Sequence, residues 1–345
     1  MRRSYTTKIL LGFISLFGPL CGITAVPFDT RDLTVYQEGF FIPGSPNYTT
    51  TILDNFYGRR NISYHATEQG HIIIDGDIMY GTAHDLKLAE AAAASSHLAR
   101  AYSLRGRPWT GAKVRYQYAD DDTERANKDT INAAIKRWKD NAPYLTFERV
   151  MPNSKSENGN VIIQSTDCSG CYSTVGSYQR GNIMSLQRGC RTCSVDQITH
   201  EWGHILGLLH EHQRPDRDQY VRLVCKNIDP RCTLPPGTSC CNNVNELPAG
   251  CCQLKQWLTP DAAGNWLDWD GMYDGISLMH YSERAFARPN TKTLVPARND
   301  VTINTNIPGW PTKRDLHRIC KIYSDECSGE KGMSRDGFDY YMGRG

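Results

Sequence analysis

The chain has 345 residues, which is enough for one large domain or two modest ones with a sizeable core. Its 39 Lys and Arg residues against 37 Asp and Glu residues leave a formal net charge of +2. This near balance gives no case for a nucleic-acid partner or for binding to an anionic membrane surface.

Residues 1–25 are typical of a secretory signal peptide. Basic residues come before the apolar run 9–23, and small residues follow it. A membrane anchor is the alternative, but this run is short and is broken by glycine and proline, so it would not span a bilayer. No other segment is apolar enough. The sequence therefore predicts a secreted protein without a membrane anchor.

The composition of residues 26–100 predicts a polar and irregular segment in front of the main domain. The segment carries glycosylation sequons at Asn47 and Asn61. Its run 85–100 is rich in alanine and leucine, which favours a helix. Within it, Asp75-Gly76-Asp77 lies between apolar residues and, taken alone, is a common hairpin signal.

A second region begins at Trp109 and shows two clear periodicities. Residues 113–118 alternate between polar and apolar side chains, which predicts a strand. Residues 122–141 have the spacing of an amphipathic helix, with apolar side chains at Ile131, Ala134, Ile135 and Trp138. The helix would back a sheet to which this strand belongs.

The rest of this region alternates between short strands and irregular chain. Strands are predicted for residues 145–150, 161–164 and 182–187, the last as a sheet edge beside which a peptide could lie. After residue 207 the chain is rich in Gly, Pro and Cys, which predicts a loop-rich subdomain. It ends in a helix at 315–323 and a flexible polar tail at 328–345.

The densest chemical signal is the pattern H-E-x-x-H-x-x-G-x-x-H at residues 200–210. Ser194 is a suitable N-cap for a helix that leads into it. His200 and His204 lie four residues apart on one helix face, so both can present a nitrogen to the same Zn²⁺. Glu201 stands beside them, where it can act as general base on a water that the zinc activates.

The third histidine tests this hypothesis. A continued helix would place His210 roughly 240° around from His204, out of reach of the same ion. The helix must therefore end between them, and Gly207 can close it in the left-handed conformation. The chain would then turn and bring His210 back. Three neutral nitrogen ligands leave one position open, which is typical of a catalytic zinc site.

These residues resemble the metzincin zinc proteases. The continuation at 211–221 and the run Ser277-Leu278-Met279-His280-Tyr281, which is similar to a Met-turn, resemble the astacin branch of that group. The resemblance covers about residues 109–327. It implies an α+β fold: a twisted mixed sheet, a backing helix and the active-site helix face a loop-rich, disulfide-stapled subdomain, with zinc in the cleft between them.

The resemblance also implies a function and roles for single residues. The chain would be a zinc metalloendopeptidase that hydrolyses polypeptide substrates with one catalytic zinc ion. Tyr281 would be an additional zinc ligand at rest and would swing to stabilise the oxyanion. Met279 would form an apolar floor under the zinc, and Glu211 would pair with the new N-terminus after activation.

Two other classes of function compete with this hypothesis. A non-catalytic binding protein could keep the zinc fold, but it would be expected to lose Glu201 or a histidine, and neither is lost. A metalloenzyme with non-peptide substrates could share the zinc motif. The similarity to astacins beyond that motif disfavours it.

The same family implies a latent proenzyme. Residues 74–78 are similar to the astacin pro-segment motif Phe-x-Gly-Asp, with Ile74 in place of phenylalanine. In that family the aspartate, here Asp77, binds zinc in place of the catalytic water. A carboxylate suits this role because it is an anionic oxygen ligand for a divalent cation.

Latency implies a division of the chain and a cleavage step. The pro-segment would occupy residues 26–100 and the protease domain residues 101–327. Another protease or self-cleavage would activate the protein. The first choice for the cut is Arg100–Ala101, with Arg105 or Arg107 behind it.

Thirteen cysteines occur, and Cys21 lies in the predicted signal peptide, which leaves twelve. An even number in a secreted chain predicts disulfides. The pairs Cys168-x-x-Cys171 and Cys190-x-x-Cys193 could instead form a structural zinc site. Astacins bridge a cysteine of the first pair to one just before the zinc helix, so two nested bridges between the pairs fit the resemblance.

Two features depart from the astacin pattern. Residues 141–145 lack the cysteine that usually pairs near the C-terminus, so Cys327 needs another partner, with Cys320 a candidate. The insertion 225–252 carries six cysteines. It is either a disulfide-stapled loop in place of a core or a rim that shapes access of the substrate.

Overall fold

A nine-stranded mixed sheet organises the computed structural model. The structure describes residues 47–54, 58–95, 106–152, 159–178, 181–189, 192–214, 216–230, 233–234, 249–250 and 272–328. The predicted signal peptide, the Arg100–Ala101 bond, Arg105, most of the insertion 225–252 and nearly all of the tail 328–345 lie outside these residues.

The sheet consists of nine strands in the order β1-β2-β3-β4-β8-β9-β7-β5-β6. Their bounds are β1 Asn47–Asp54, β2 Gly58–Ala66, β3 His71–Ile74, β4 Ile78–Thr82, β5 Lys113–Tyr118, β6 Thr146–Arg149, β7 Val161–Asp167, β8 Tyr172–Ser173 and β9 Asn182–Arg188. Strands β1 to β4 pair antiparallel, and β9, β7, β5 and β6 pair parallel. Between these halves, β8 pairs antiparallel with β9 and parallel with β4.

Five α-helices accompany the sheet in the described residues: α1 Ala83–Ser95, α2 Asp121–Asn141, α3 Val195–Leu206, α4 Lys313–Ile322 and α5 Ser324–Ser328. Helix α2 begins at Asp120, whose side chain accepts a hydrogen bond from the Thr123 amide, and this satisfies one of its free N–H groups. The predicted apolar face of α2 is buried and lies in one core with β5, β7 and α3. The predicted strand at 113–118 and the predicted backing helix are confirmed.

The predicted sheet edge at 182–187 is wrong. This segment is strand β9, but it lies inside the sheet between β7 and β8. The chain at 172–173 returns along it as β8, a strand too short to leave a period in the sequence. Strand β8 is therefore the last strand contributed by the region after residue 106, and β4 lies on its outer side.

The prediction of an irregular segment before the main domain is also wrong within the described residues. Residues 47–95 form the strands β1 to β4 and the helix α1, which we call the N-terminal module. The helix predicted at 85–100 begins two residues earlier and is described as far as Ser95. The predicted hairpin turn links β3 to β4, with positive φ at Asp75 and Gly76.

The chain after α3 is loop-rich, as predicted. Its remaining strands are short: β10 Val221–Leu223 pairs with β13 Leu294–Pro296, and β11 Thr233–Leu234 pairs with β12 Ala249–Gly250. Helix α4 matches the predicted closing helix at 315–323 and starts with a capping box of Thr312 and Asp315. No helix among the described residues has the length and apolar character needed to cross a membrane.

Two disulfides are described. Cys171 pairs with Cys193, which excludes the structural zinc site and confirms a bridge from the first cysteine pair to the residue before the Ser194 cap. The bridges between the two pairs are not nested, because nesting would join Cys193 to Cys168. Cys320 pairs with Cys327, as the missing cysteine at 141–145 suggested.

Candidate metal centre

Helix α3 sets the position of the first two histidines. The Ser194 side chain accepts a hydrogen bond from the Gln197 amide, and the Gln197 side chain accepts one from the Ser194 amide. The helix ends at Gly207, whose φ of 109° is open to glycine at little cost. The Leu208 amide then bonds back to the Gly203 carbonyl, and the chain turns towards His210.

This turn brings His200, His204 and His210 together. Their side chains are buried, and the Nε2 atom of His200 lies 3.1 Å from that of His204 and 3.3 Å from that of His210. The opposite nitrogens are occupied: Nδ1 of His200 faces the Leu278 carbonyl at 2.8 Å, and Nδ1 of His204 faces the Leu208 carbonyl at 2.9 Å.

These partners fix which nitrogen carries the proton. A carbonyl oxygen only accepts, so Nδ1 of His200 and of His204 must donate, and Nε2 of each neutral ring presents a lone pair. The Nδ1 of His210 faces the Gln213 side-chain oxygen at 3.2 Å, which orients that ring in the same way. Three lone pairs directed at one point repel each other unless a cation lies between them. The donor set therefore fits a metal.

Asp77 completes the cluster from the turn between β3 and β4. One of its carboxylate oxygens lies 3.0 Å from Nε2 of His210 and 3.6 Å from that of His204, and the other lies 3.5 Å from that of His200. The four ligand atoms lie within 4.8 Å of one another. Three imidazoles and one carboxylate are a ligand set that suits Zn²⁺. We call these four residues the histidine–aspartate cluster.

Burial and the neighbouring histidines act in opposite directions on the pKa of Asp77. Burial alone would raise the pKa of Asp77, but the surrounding histidines, His210 first, hold that pKa well below its usual range. The carboxylate is therefore ionised. One of its oxygens is buried without a hydrogen bond, which a metal ion would compensate.

Glu201 lies next to the cluster and is almost fully buried. One carboxylate oxygen accepts a hydrogen bond of 2.7 Å from the Ser173 hydroxyl on β8. Burial, and then the negative charge of Asp77, raise the pKa of Glu201 to about 8. Ser173 and Gln213 were not identified from the sequence, because neither belongs to a spacing pattern of its own.

The run 277–281 passes beneath the histidines. Met279 is buried, and its sulfur is so close to α3 that a Cβ on Gly203 would approach it to 2.6 Å. The turn is held from behind by Asp315 on α4, which accepts hydrogen bonds from the Ser277 hydroxyl and the Leu278 amide. Met279 thus packs under the site and is not among the ligand atoms of the cluster.

The Tyr281 hydroxyl reaches the edge of the cluster. It donates to the Asp75 carbonyl at 2.9 Å and lies 3.5 Å from the Asp77 carboxylate. Its ring stacks on His212, with the ring centroids 4.1 Å apart. The hydroxyl is thus engaged by the turn that carries Asp77.

Glu211 follows the third histidine and lies in a charged network behind it. Its buried carboxylate pairs with Arg318 at 2.7 Å and Arg214 at 3.1 Å, and it also accepts a bond from the Asp274 amide. The uncut chain therefore already supplies two guanidinium partners for Glu211. Its pairing with a new N-terminus stays a prediction.

Comparison with known proteins agrees with the site. Residues 102–234 match the family model of the astacin peptidases. Zinc metalloproteinase nas-5 of Caenorhabditis elegans is 27% identical over 61% of this chain and 50% of its own length. Seminal metalloprotease 1 of Drosophila melanogaster is 26% identical over 62% and 77%, and zinc metalloproteinase dpy-31 of C. elegans is 37% identical over 53% and 26%.

The chain thus spans half of the nas-5 protein and about a quarter of dpy-31. Among solved structures, high choriolytic enzyme 1, a hatching enzyme zinc-protease from the medaka Oryzias latipes, is 22% identical with a TM-score of 0.46, over 64% of this chain and 94% of its own. The match to the family model over residues 102–234, together with several metalloproteinase relatives, supports an astacin-family zinc metalloprotease.

Proposed function

We propose that this chain is a secreted, zinc-dependent endopeptidase that is made as a latent proenzyme. The observation that carries the proposal is the convergence of three Nε2 lone pairs beside a buried glutamate, with an aspartate from the N-terminal module occupying the remaining direction. We retain residues 1–25 as signal peptide, 26–100 as pro-segment, 101–327 as protease domain with the insertion 225–252, and 328–345 as tail.

His200, His204 and His210 would hold the zinc. When bound there, the ion supplies a Lewis acid that activates water and polarises a peptide carbonyl. Glu201 would take the proton of the attacking water and pass it to the leaving amine, which is general acid–base catalysis by one carboxyl group. The Ser173 hydroxyl supports this role because it fixes the direction of the Glu201 carboxylate.

Tyr281 would act on the oxyanion. In the uncut chain its hydroxyl donates to the Asp75 carbonyl. Once that turn departs, the hydroxyl is free to bind zinc at rest or to donate to the negatively charged oxygen that forms on the substrate. Met279 would keep the floor of the site dry and packed.

The polypeptide substrate would lie along β8. Its outer side is occupied by β4, and the Ser173 amide donates to the Asp77 carbonyl at 3.0 Å. Removal of β4 leaves this edge free to pair with an extended peptide, whose scissile bond would then lie beside Glu201. The substrate-binding edge is thus proposed at β8 and not at β9.

Asp77 would cause latency because its carboxylate occupies the position that the attacking water needs. Cleavage near Arg100–Ala101, by another protease or by the enzyme itself, would precede release. The new N-terminus would then approach Glu211, where it would compete with Arg214 and Arg318 for the carboxylate.

The test is an assay of the purified, activated protein on denatured casein, with and without the zinc chelator phenanthroline. We expect cleavage that the chelator stops and that added zinc restores. The variant Glu201→Gln is the matched control, since it keeps the metal ligands and lacks the base. Cleavage that persists in the chelator would exclude the zinc mechanism, and no cleavage after activation would exclude the endopeptidase.

A further inference from the structure

The N-terminal module is larger than its contact with the zinc site requires. A single carboxylate is enough to fill one zinc position, whereas residues 47–95 form a folded unit. The apolar side chains of the N-terminal module are buried against each other: Ile52, Ile62, Ile72, Ile74, Ile78, Tyr80, Leu86 and Ala89. Helix α1 lies against β1, β3 and β4. The module therefore has a hydrophobic core, which is what allows a chain segment to hold a fold.

Polar contacts inside the module support the same conclusion. Helix α1 begins with a reciprocal cap, in which the Thr82 amide donates to the Asp85 carboxylate and the Asp85 amide donates to the Thr82 hydroxyl. Arg59 on β2 donates to the Ala93 carbonyl near the end of α1. These bonds join the strands of the module to its helix without any residue from the rest of the chain.

The contact surface between the module and the rest of the protein consists of apolar side chains and neighbouring backbone. Val175 and Leu209 pack on its core, and Tyr172 packs with Ile73 and Met79 from the module. The backbone of β12, from the cysteine-rich insertion, lies beside β1 and β2. These contacts are additional to the polar contacts that Asp77 makes with the histidines.

None of these contacts depends on the connection between the two parts. Helix α1 is described to Ser95, and the next described residue, Gly106, is already fixed to the far side of the interface, where its amide donates to the Val175 carbonyl at 2.7 Å. A cut between these positions ends the covalent link, so the module loses the high effective concentration that a link confers. Every docking contact named above lies outside the cut segment.

We propose that residues 47–95 are a protease-inhibitor domain, which stays bound to the zinc site after the chain is cut and keeps the cleaved enzyme silent until it dissociates or is digested. The inference rests on the proposed function, because the activity that the domain would inhibit is the proposed peptidase activity. The inhibitor supplies a carboxylate to the metal position and a β-strand to the edge of β8. Cleavage and activation are then two separate events.

The experiment uses the full chain with a site-specific protease sequence placed within 96–105. After complete cutting, size-exclusion chromatography and peptidase activity are measured from about 10 µM down to about 1 nM protein, a range that covers ordinary protein–protein affinities. At the high concentration we expect the fragments to co-elute and the activity per mole of enzyme to be low. On dilution the fragments should dissociate, so the activity per mole of enzyme should rise after a lag.

A matched pair of variants tests the role of the core. Leu86 is buried in the module, whereas Leu88 on the same helix is 42% exposed. We expect Leu86→Ala to raise the concentration at which activity appears by tenfold or more, and Leu88→Ala to behave as wild type. After digestion of the module, both variants should equal wild type in activity, which shows that the protease part is folded.

Separation of the fragments at the highest concentration, with full activity as soon as the cut is complete, would overturn the inhibitor domain. Equal behaviour of the two leucine variants would overturn the part played by its core. Co-elution does not depend on catalysis, so it tests the inference by itself. If the fragments co-elute and the protein stays inactive after the module is digested, the inhibitor interface stands and the proposed peptidase function fails.

Discussion

The two halves of the nine-stranded sheet contribute very differently to the histidine–aspartate cluster. The half formed by β9, β7, β5 and β6, with residues 195–213 and the turn at 277–281, supplies the three histidines, their Nδ1 partners and Glu201. The N-terminal module supplies one carboxylate, from Asp77, and one backbone carbonyl to Tyr281. One half thus builds the site, and the other only occupies it.

This difference separates the substitutions that should abolish activity from those that should relieve latency. Changes in the site-building half should damage catalysis or folding. Changes at the contacts of the N-terminal module should act on latency and leave the chemistry intact. The predictions below use single substitutions to test that separation.

The largest effect is expected for Glu201→Gln. The amide has no basic lone pair for the proton of water, and the histidines are untouched, so kcat should fall by about 10²–10⁴-fold with zinc content unchanged. Metal analysis and casein cleavage of the activated protein measure both. A variant that keeps more than about a tenth of the wild-type kcat would mean that another group is the base.

Asp77→Ala tests the other half. In the uncut precursor it removes the carboxylate that lies 3.0 Å from His210, and it should give activity, or rapid self-cleavage, without an added protease. Glu68→Ala, which removes an exposed carboxylate from the same module, is the control and should stay latent. If the Asp77 variant is folded, zinc-loaded and as silent as wild type, bulk blocking by the module must explain latency.

The sequence predicted the site-building half well because local rules determine it. Ser194 and Gly207 fix the ends of α3, and the spacing of three histidines then leaves little choice of geometry. Strand β5 and helix α2 have strong periods. The same rules say nothing about Gln213 and Ser173, because their roles depend on contacts that only the folded chain makes.

The N-terminal module was missed for a related reason. Its core residues, such as Ile52 and Ile62, come from strands separated by polar stretches, and no single strand shows a long apolar period. Its attachment to β8 is a pairing between residues far apart in the sequence, Ile78 and Ser173. Long-range pairing of short strands depends on packing that a sequence pattern does not encode.

A moderate effect is expected for Gly203→Ala, in the half that builds the site. The added methyl group would meet the Met279 sulfur at 2.6 Å and the Trp138 ring at 3.4 Å. Overpacking of this kind costs about 1–3 kcal/mol, so urea unfolding should show that loss of stability. Shortening Met279 to alanine in the same chain should recover part of it. Additive losses in the double variant would mean that the contact is not the cause.

The smallest effect concerns a carboxyl group behind the site. Asp274 accepts hydrogen bonds from the Thr312 hydroxyl at 2.6 Å and from the Ile276 amide at 3.3 Å. Burial, and then the neighbouring Asp315 carboxylate, raise the pKa of Asp274 from 3.8 to about 6. The folded protein therefore holds this proton more tightly than the unfolded chain does.

The sign of the pH dependence follows from that difference. The stability that protonated Asp274 contributes is fully present below the unfolded pKa near 3.8, and it is lost as the pH rises through about 6. Asp274→Asn has no charge to acquire. We therefore expect the variant to gain on the order of 1 kcal/mol relative to wild type between about pH 4 and pH 7. Urea unfolding of both proteins across that range measures the gain, and Asp300→Asn, at an exposed carboxylate, should show none of it. Because contributions from zinc and the histidines are common to both chains, parallel stability curves would mean that Asp274 is ionised in the fold and that Arg314 balances its charge.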